Sequence, residues 1–198
     1  MEEKQSLKKE FEDFRNNRDV ISLFSGAMGL DIGLGKAGLN IVLGQDFEPT
    51  CVETMEANRH KVLGGDIREI KPEMLLALTG LQVGEPFMIC GGPPCQPFST
   101  AGKRLGINDP RGSLFMDFIR MIDYIRPRFF VMENVKGIIS APLKHVPTDQ
   151  RKKDDPEQRL GTVLDVILAE FKKLGYRTVY GILDAVNYGV PQFRERFV

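Results

Sequence analysis

The segment 91–99, which reads GGPPCQPFS, contains the thiol best placed for covalent chemistry, Cys95. Residues 87–90 before it are apolar and predict a buried strand that ends in an abrupt loop. Prolines on both sides of the cysteine fix backbone dihedral angles and remove amide donors, so we expect a stiff loop. A small buried core residue is the alternative for any cysteine. A proline-rich loop at a strand end favours a reactive Cys95 instead.

Three charged residues could assist such a thiol. Glu133 follows an apolar run at 129–132 that predicts another strand, and Arg194 and Arg196 lie near residue 198. Carboxyl ends of parallel strands meet at one edge of a sheet, so we expect Glu133 on the edge that carries Cys95. A helix cap or a surface ion pair is the alternative for Glu133. A thiol, an acid and arginines suit attack on an electron-poor ring followed by group transfer.

A glycine-rich turn follows the first predicted strand, residues 20–24. Residues 25–33 read SGAMGLDIG and lead into a helix that ends near Gly38. Asp46 ends a second strand, 40–45, about 20 residues further on, where a carboxylate can bind a ribose hydroxyl. Asp66 follows a third strand, 61–63. Helix packing alone explains many such turns, and each aspartate could be a cap or turn residue. Together they favour a cofactor that contains adenosine.

Strands and helices alternate along the chain. Helices are expected at 49–59, 72–79, 113–125 and 161–174, and a sixth strand at 176–184. This order predicts an α/β fold with a doubly wound, mainly parallel sheet. Residues 1–18, with Leu7, Phe11 and Phe14 at helical spacing, predict an N-terminal helical extension. Residues 19–198 then form the main domain, with a charged, solvated insert at about 140–160 and the start of another strand at Val198.

Composition excludes several classes of protein. The 198 residues carry 27 Lys and Arg against 27 Asp and Glu, so net charge does not indicate a nucleic-acid partner. Three cysteines without CxxC spacing and two histidines argue against a metal site. Residues 1–18 do not resemble a cleavable signal, and we find no membrane-spanning run. We therefore expect a soluble, cytoplasmic protein without a metal.

Four segments resemble, in order, the motifs of the cytosine-5 DNA methyltransferases: 24–30 (FSGAMGL), 92–99 (GPPCQPFS), 133–135 (ENV) and 190–196 (VPQFRER). The resemblance implies a Rossmann-like fold that binds S-adenosylmethionine and methylates carbon 5 of cytosine in double-stranded DNA. It identifies Cys95 with the nucleophile that adds to carbon 6. It identifies Glu133 with the acid at ring nitrogen 3, and Arg194 and Arg196 with the arginines that hold the base.

The same resemblance implies the other site residues. Asp46 would bind the ribose, Phe47 would lie against adenine, and Asp66 would lie near its amino group. The full cofactor set is Phe24, Ser25, Gly26, Ala27, Gly29, Leu30, Asp46, Phe47, Asp66, Ile67, Pro94 and Leu114. The substrate-binding set is Pro94, Gln96, Ser99 and Asn134. The loop 97–112 corresponds to a mobile loop that closes over a base flipped out of the duplex.

The sequence also departs from the family. Met28 stands where many members have a second adjacent glycine. The target-recognition region and the last two motifs would lie beyond Val198, so we expect either a truncated chain or one subunit of a split enzyme whose partner chain supplies the rest. Restriction-modification is the bacterial context that the family most often implies.

Two other functions stay open at this point. A nicotinamide-dependent oxidoreductase would share the glycine loop and Asp46, but it leaves Cys95 and Glu133 unexplained. A catalytically idle DNA-binding or assembly half of a larger enzyme would keep the fold without turnover. The same chemistry could also serve a structured RNA.

Overall fold

The computed structural model describes residues 17–94, 113–143, 146, 150 and 154–198. The chain divides into two compact units. The first comprises the residues up to Gly91 together with Tyr124–Val131, and the second comprises Gly92–Asp123 and Met132–Val198. The N-terminal helix expected around Leu7, Phe11 and Phe14 lies outside the described residues.

A five-stranded sheet is the framework of the first unit. Its strands are β1 (Asp19–Leu23), β2 (Asn40–Asp46), β3 (Val62–Gly64), β4 (Met88–Gly91) and β5 (Phe129–Met132). They are arranged in the order β3-β2-β1-β4-β5, and β1 pairs in parallel with both β2 and β4, as β2 does with β3. This order confirms the doubly wound, mainly parallel sheet.

Three helices connect these strands: α1 (Gly29–Lys36), α2 (Pro49–Ala57) and α3 (Pro72–Thr79). Proline is the first residue of α2 and of α3, where its missing N–H would have had no helical partner. Gly80 ends α3 in a left-handed conformation, and its N–H bonds to the Leu76 carbonyl oxygen at 2.8 Å. Local chemistry thus sets these helix ends. Strands β1 to β4 run parallel and therefore end at the same edge of the sheet.

The core of the first unit lies around β1. Four of its five residues are buried, as expected for a strand whose two faces are both covered. The fully buried side chains that pack in this unit include Ile21, Leu23, Leu43, Met55, Ile67, Leu75, Ile89 and Ile125. This burial holds β1, β2 and β4 in register, so the loops that follow them are anchored at their starts.

The second unit contains the helix α5 (Thr162–Lys173) and most of α4 (Ser113–Ile125). Phe115 of α4 and Phe171 of α5 meet edge to face, with ring centroids 6.2 Å apart. Phe118, Met121 and Ile122 are fully buried, so they form an apolar stripe of α4 that belongs to the core.

A small antiparallel sheet completes this unit. It contains β6 (Asn134–Val135), β7 (Ile182–Asp184) and β8 (Glu195–Phe197) in the order β6-β8-β7. The sixth strand expected at 176–184 is therefore too long, because only its last three residues form a strand. Val179, a residue of high strand propensity, is 97% exposed, so no packing supports an extended strand there.

The charged, solvated insert expected at about 140–160 includes two buried side chains among its described residues. Ala141 and Gln158 are buried, at 3% and 5% exposure. The Gln158 amide donates to Asp155 Oδ2 at 2.5 Å, and the Asp155 carboxylate also caps the short 3-10 helix Pro156–Gln158. A polar side chain whose amide is bonded in this way can be buried. The division into a helical extension and a catalytic domain stays a prediction.

Candidate active site

The glycine turn after β1 is built from unusual backbone conformations. Phe24, Gly26 and Met28 all have positive φ angles, of 54°, 56° and 60°. A non-glycine residue in this region carries roughly 1–2 kcal/mol of strain. Such strain persists where surrounding structure imposes it, and it is concentrated at functional sites. The Met28 side chain is buried, at 3% exposure, so it packs in the protein and leaves Ala27 and Gly29 exposed on the turn.

Asp46 fixes this turn through its carboxylate. Oδ2 accepts a hydrogen bond from the Gly26 N–H at 2.7 Å, and Oδ1 accepts one from the Glu48 N–H at 2.9 Å. The Ser25 N–H bonds to the Gln45 carbonyl oxygen at 3.0 Å. Each carboxylate oxygen has a further lone pair, so Asp46 can hold the turn and still accept from a ribose hydroxyl.

The other residues expected to bind the cofactor differ in how exposed they are and in the contacts that they already make. Phe47 is 66% exposed, which leaves a ring face free to stack on a ligand. Asp66 is bound by the Arg68 guanidinium, whose Nε lies 2.9 Å from Oδ1. That hydrogen bonding lowers the pKa of Asp66 from its usual 3.8. Ile67 is only 1% exposed and packs in the core. We define the cofactor edge as residues 24–28, Asp46, Phe47 and Asp66.

A buried polar cluster that sequence reasoning missed lies in the same unit. Asp31 in the first turn of α1 is 2% exposed, and burial raises its pKa above the usual 3.8. Cys90 Sγ donates to Asp31 Oδ1 at 3.6 Å, while Asp31 Oδ2 has no partner among the described residues. Ser25 Oγ bonds to Ser22 Oγ at 2.9 Å. An acid in the first turn of a helix normally interacts with the helix dipole at the surface, so sequence pattern gave no sign of this burial.

Two of the three cysteines can be compared directly. Burial raises the pKa of the Cys90 thiol to about 12, and desolvation also raises the pKa of Cys51. Neither is therefore an activated thiolate near neutral pH. Cys95 lies outside the described residues, as do Gln96 and Ser99. Their predicted roles stay predictions.

Glu133 and Arg196 come together in the second unit. Arg196 Nε lies 2.7 Å from Glu133 Oε1, and the two side chains are 26% and 32% exposed. The pairing of β6 with β8 sets Val135 opposite Arg196, which brings Arg196 beside the residue that precedes β6. The strand register therefore creates this ion pair. A short ion pair of this kind restrains the direction of a carboxylate.

A second ion pair crosses the same two strands. Lys136 Nζ lies 2.7 Å from Glu195 Oε1 and 2.9 Å from Oε2. Both side chains are about half exposed, at 57% and 46%. Exposed pairs of this kind contribute only about 0–1 kcal/mol, so this contact supports the strand pairing weakly.

Arg194 is not in the ion pair with Glu133. It is exposed, and its main chain is held on both sides: its N–H donates to Asp184 Oδ1 at 2.8 Å, and its carbonyl oxygen accepts from the Ala185 N–H at 3.2 Å. Asp184 also accepts from the Val186 N–H at 3.5 Å. Asp184 thus anchors the arginine segment. Sequence analysis missed it because only the antiparallel fold brings residues 184 and 194 together.

Asn134, the residue after Glu133, is hydrogen-bonded to the segment that follows β4. Its Nδ2 donates to the Pro93 carbonyl oxygen at 2.9 Å, its Oδ1 accepts from the Val135 N–H at 2.9 Å, and its exposure is 7%. Pro94 is exposed and Leu114 is half-buried. We define the acid cluster as Glu133, Asn134 and Arg196.

Two kinds of feature are absent from the part of the chain that the structure describes. It contains no group of three or more His, Cys, Asp or Glu that could hold a metal ion. It also contains no helix that is both long and apolar enough to cross a bilayer.

Comparisons with known proteins match almost the whole chain. The family model of the C-5 cytosine-specific DNA methylases matches residues 18–198. The chain is 38% identical over 182 residues to the Type II methyltransferase M.AquIA of Picosynechococcus sp.. That alignment covers 90% of this chain and 69% of the relative. It is 42% identical over 178 residues to the Type II methyltransferase M.FnuDI of Fusobacterium nucleatum, covering 89% of this chain but 44% of the relative.

Solved structures have the same fold. A prophage protein of E. coli, described as a DNA modification methyltransferase, aligns with a TM-score of 0.67 and 26% identity over 90% of this chain and 44% of its own. The Dnmt2 methyltransferase of S. pombe aligns with a TM-score of 0.62 at 21% identity, over 90% of this chain and 47% of its own, which supports the fold alone. With the family model matching 18–198, the chain belongs to the C-5 cytosine-specific DNA methylase family.

Proposed function

We propose that this chain carries the catalytic portion of an enzyme that transfers a methyl group from S-adenosylmethionine to carbon 5 of cytosine in DNA. The observation that carries the proposal is the acid cluster. It sets Glu133 against Arg196 at 2.7 Å and joins Asn134 to the proline segment that leads into Cys95. Membership of the family supplies the reaction class.

Cys95 supplies the nucleophile in this proposal. Carbon 5 of cytosine is a weak nucleophile, so the Cys95 thiolate forms a bond to carbon 6 and pushes an electron pair into the ring. Carbon 5 would then take the methyl group from S-adenosylmethionine, with the sulfur–methyl bond breaking and S-adenosylhomocysteine as the leaving group. Loss of the carbon 5 proton to a base, with expulsion of the thiolate from carbon 6, restores the aromatic ring and frees Cys95. Burial raises the pKa of the Cys90 thiol to about 12, which makes it unsuitable for this role.

Glu133 and Arg196 act on the polar edge of the base. Electron density gathers at nitrogen 3 and the carbonyl oxygen when the thiolate adds, and a carboxyl and a guanidinium can hydrogen-bond to these atoms. A stacked base is out of reach of such groups, so the target cytosine must leave the helix. Arg194 is exposed with a fixed main chain, and it is the second candidate for contact with the base or a phosphate.

The cofactor edge fits an adenosine-containing methyl donor. Asp46 retains lone pairs for ribose hydroxyls, and Phe47 has an exposed ring that can stack on adenine. The turn at 24–28 allows the methyl donor to approach the backbone closely. The sulfonium of S-adenosylmethionine supplies an electrophilic methyl group. Asp66 must exchange part of its contact with Arg68 if it is to meet the adenine amino group.

Double-stranded DNA is the proposed substrate, and restriction-modification is the proposed setting. The relatives M.AquIA and M.FnuDI are named Type II methyltransferases. This chain spans 69% of the first and less than half of the second. We therefore propose that further polypeptide, on this chain or on a second one, contributes to reading the DNA sequence.

Trapping on 5-fluorocytosine tests the proposal. The protein is mixed with S-adenosylmethionine and duplex DNA that carries this base, alone and with the C-terminal part of M.FnuDI. Fluorine on carbon 5 cannot leave as a proton, so we expect a stable adduct on Cys95 by mass spectrometry. Cys95→Ser should abolish the adduct and Cys51→Ser should retain it. Absence of an adduct under both conditions, or attachment at another residue, would contradict the mechanism.

One observation favours a second function, an assembly half without turnover of its own. Large apolar side chains are exposed along 179–193, among them Val179 at 97%, Tyr188 at 68% and Phe193 at 86%. Exposed apolar groups in this number are typical of surfaces that pair with other polypeptide. Salt-sensitive DNA binding without methyl transfer, even with the added C-terminal part, would support this function.

A further inference from the structure

Gly92 is the first residue after β4, and the chemistry proposed above gives it no role. An ideal Cβ at this position would lie 3.0 Å from Glu133 Oε2 and 3.7 Å from the Glu133 carbonyl oxygen. The first distance is tighter than ordinary contacts of a Cβ atom. Gly92 is not among the glycines with a positive φ angle. Backbone conformation therefore does not require glycine here, but a Cβ at this position would displace the Glu133 carboxylate by a few tenths of an ångström.

The carboxylate is also held on its other side. Oε1 forms an ion pair with Arg196 Nε at 2.7 Å, and the pairing of Val135 with Arg196 fixes the position of the Arg196 main chain. Glu133 therefore cannot move away from residue 92 and keep this ion pair unchanged. A methyl group at residue 92 would force a choice between close contact and a longer ion pair.

The backbone cannot easily widen the gap. Asn134 Nδ2 donates to the Pro93 carbonyl oxygen at 2.9 Å, and this bond joins the residue after Gly92 to the residue after Glu133. Asn134 is buried, so breaking the bond would leave a buried amide without its partner. Both segments are thus fixed in the main chain, and strain from a larger residue would act on the Glu133 side chain.

We propose that Gly92 is a positioning residue for the catalytic acid: because it has no side chain, the Glu133 carboxylate lies between Arg196 and the start of the Cys95 loop. The catalytic part of this inference rests on the proposed function, whereas the geometric part does not. Gly92 acts only through Glu133. Displacement of a catalytic group by about 1 Å can lower a rate by about 10²-fold, and the shift of a few tenths of an ångström that a Cβ would impose here implies a smaller loss.

A double-mutant cycle tests the geometry without any activity. Urea unfolding is measured for four variants: Gly92→Ala, Glu133→Ala, the double variant, and Gly137→Ala. Gly137 is a matched control in the same unit, because an added Cβ there meets nothing within 4 Å. We expect Gly92→Ala to lower the unfolding midpoint, with at least about half of that loss absent once Glu133 is truncated. An equal loss in both backgrounds would overturn the proposal.

The catalytic part is tested by trapping and by cofactor binding. Gly92→Ala should slow adduct formation about three- to tenfold and leave the affinity for S-adenosylmethionine unchanged. A second change, Glu133→Asp, shortens the acid by one methylene and should recover part of the lost rate, which a general folding defect would not allow. Wild-type rates in Gly92→Ala would overturn the proposal. If the unmutated chain forms no adduct under any condition, the proposed function fails, and the unfolding cycle still decides the geometry.

Discussion

The cofactor edge and the acid cluster are held in place in different ways. At the cofactor edge, the turn at 24–28 is held by its own N–H groups: the Gly26 N–H bonds to the Asp46 carboxylate and the Ser25 N–H to the Gln45 carbonyl oxygen. At the acid cluster, Glu133 is fixed by the Arg196 side chain and by the space that Gly92 leaves. The first site therefore depends on hydrogen bonds to the main chain of the turn, and the second on an ion pair between two side chains and on the space beside it.

This difference implies that the two sites can be damaged separately. Many side chains at the cofactor edge can change while the turn persists, because neighbouring strands and positive φ angles define it. A single change in the acid cluster removes a partner that nothing else replaces in the described contacts. We expect changes in the acid cluster to slow methyl transfer without weakening the binding of S-adenosylmethionine. We expect changes at the cofactor edge to weaken that binding.

The largest effect is expected from Glu133→Gln, which keeps the shape of the side chain and removes its charge. Since this carboxyl is proposed to act on the base as charge develops, the rate of methyl transfer should fall by about 10²–10³-fold. Single-turnover transfer measures the rate, and calorimetry measures the affinity for S-adenosylmethionine, which should not change.

Glu195→Gln is the matched control for Glu133→Gln, since Glu195 pairs with Lys136 across the same strands at an exposed position. Its rate should stay within about threefold of the unmutated chain, because exposed pairs contribute little. Equal loss in both variants would mean that charge balance in the small sheet matters, and that Glu133 has no special role.

A smaller effect is expected from Asp46→Ala at the cofactor edge. This change removes acceptors for the Gly26 and Glu48 N–H groups, at 2.7 and 2.9 Å, and a proposed ribose contact. Loss of hydrogen bonds to a charged group corresponds to about 1.5–3 kcal/mol, so affinity for S-adenosylmethionine should fall about 10- to 150-fold. Glu48→Ala, which keeps the Glu48 N–H, should bind normally. Unchanged affinity in Asp46→Ala would separate Asp46 from the cofactor.

Two glycines in the first unit test how tightly the sheet beneath the turn is packed. A Cβ at Gly44 would lie 2.9 Å from Met55 Sδ, whereas one at Gly33 in α1 would meet nothing within 4 Å. Gly44→Ala should lower the free energy of unfolding by about 1–2 kcal/mol. Gly33→Ala should raise it by up to about 1 kcal/mol, because alanine favours a helix. Urea unfolding measures both, and effects of the same sign would contradict this packing.

The sequence was sufficient where structure is set locally. Pro72 begins α3, the apolar stripe of α4 fits a helix at 113–125, and the apolar run at 129–132 forms β5, so these three elements have the predicted bounds. Residues 176–181 were predicted wrongly as a strand, since strand propensity is realised only where a partner packs, and Val179 is exposed.

Site residues that depend on contacts distant in sequence could not be predicted in the same way. The sequence does not distinguish Arg194 from Arg196. The pairing of β8 with β6 places Arg196, and not Arg194, in the ion pair with Glu133. Gly92 and Glu133 are far apart in the chain, and Asp31 is on a helix whose pattern does not reveal its burial. The sequence shows which residue types are present, and the register of the strands determines which of them meet.

The smallest effect concerns pH and Asp66, the one cofactor-edge carboxylate that is held by a cation. Hydrogen bonds from Arg68 hold the pKa of Asp66 below its usual 3.8. Its folded-state pKa is thus lower than its unfolded value, so the contact stabilises the protein above about pH 4 and is lost as pH falls through the folded pKa. Arg68 is about half exposed, at 47%, which limits the contribution to below about 1 kcal/mol. The difference in unfolding free energy between the unmutated chain and Asp66→Asn should therefore shrink below pH 4. Arg68→Ala should remove that pH dependence. A difference that stays constant down to pH 2 would show that the ion pair between Asp66 and Arg68 does not stabilise this part of the cofactor edge.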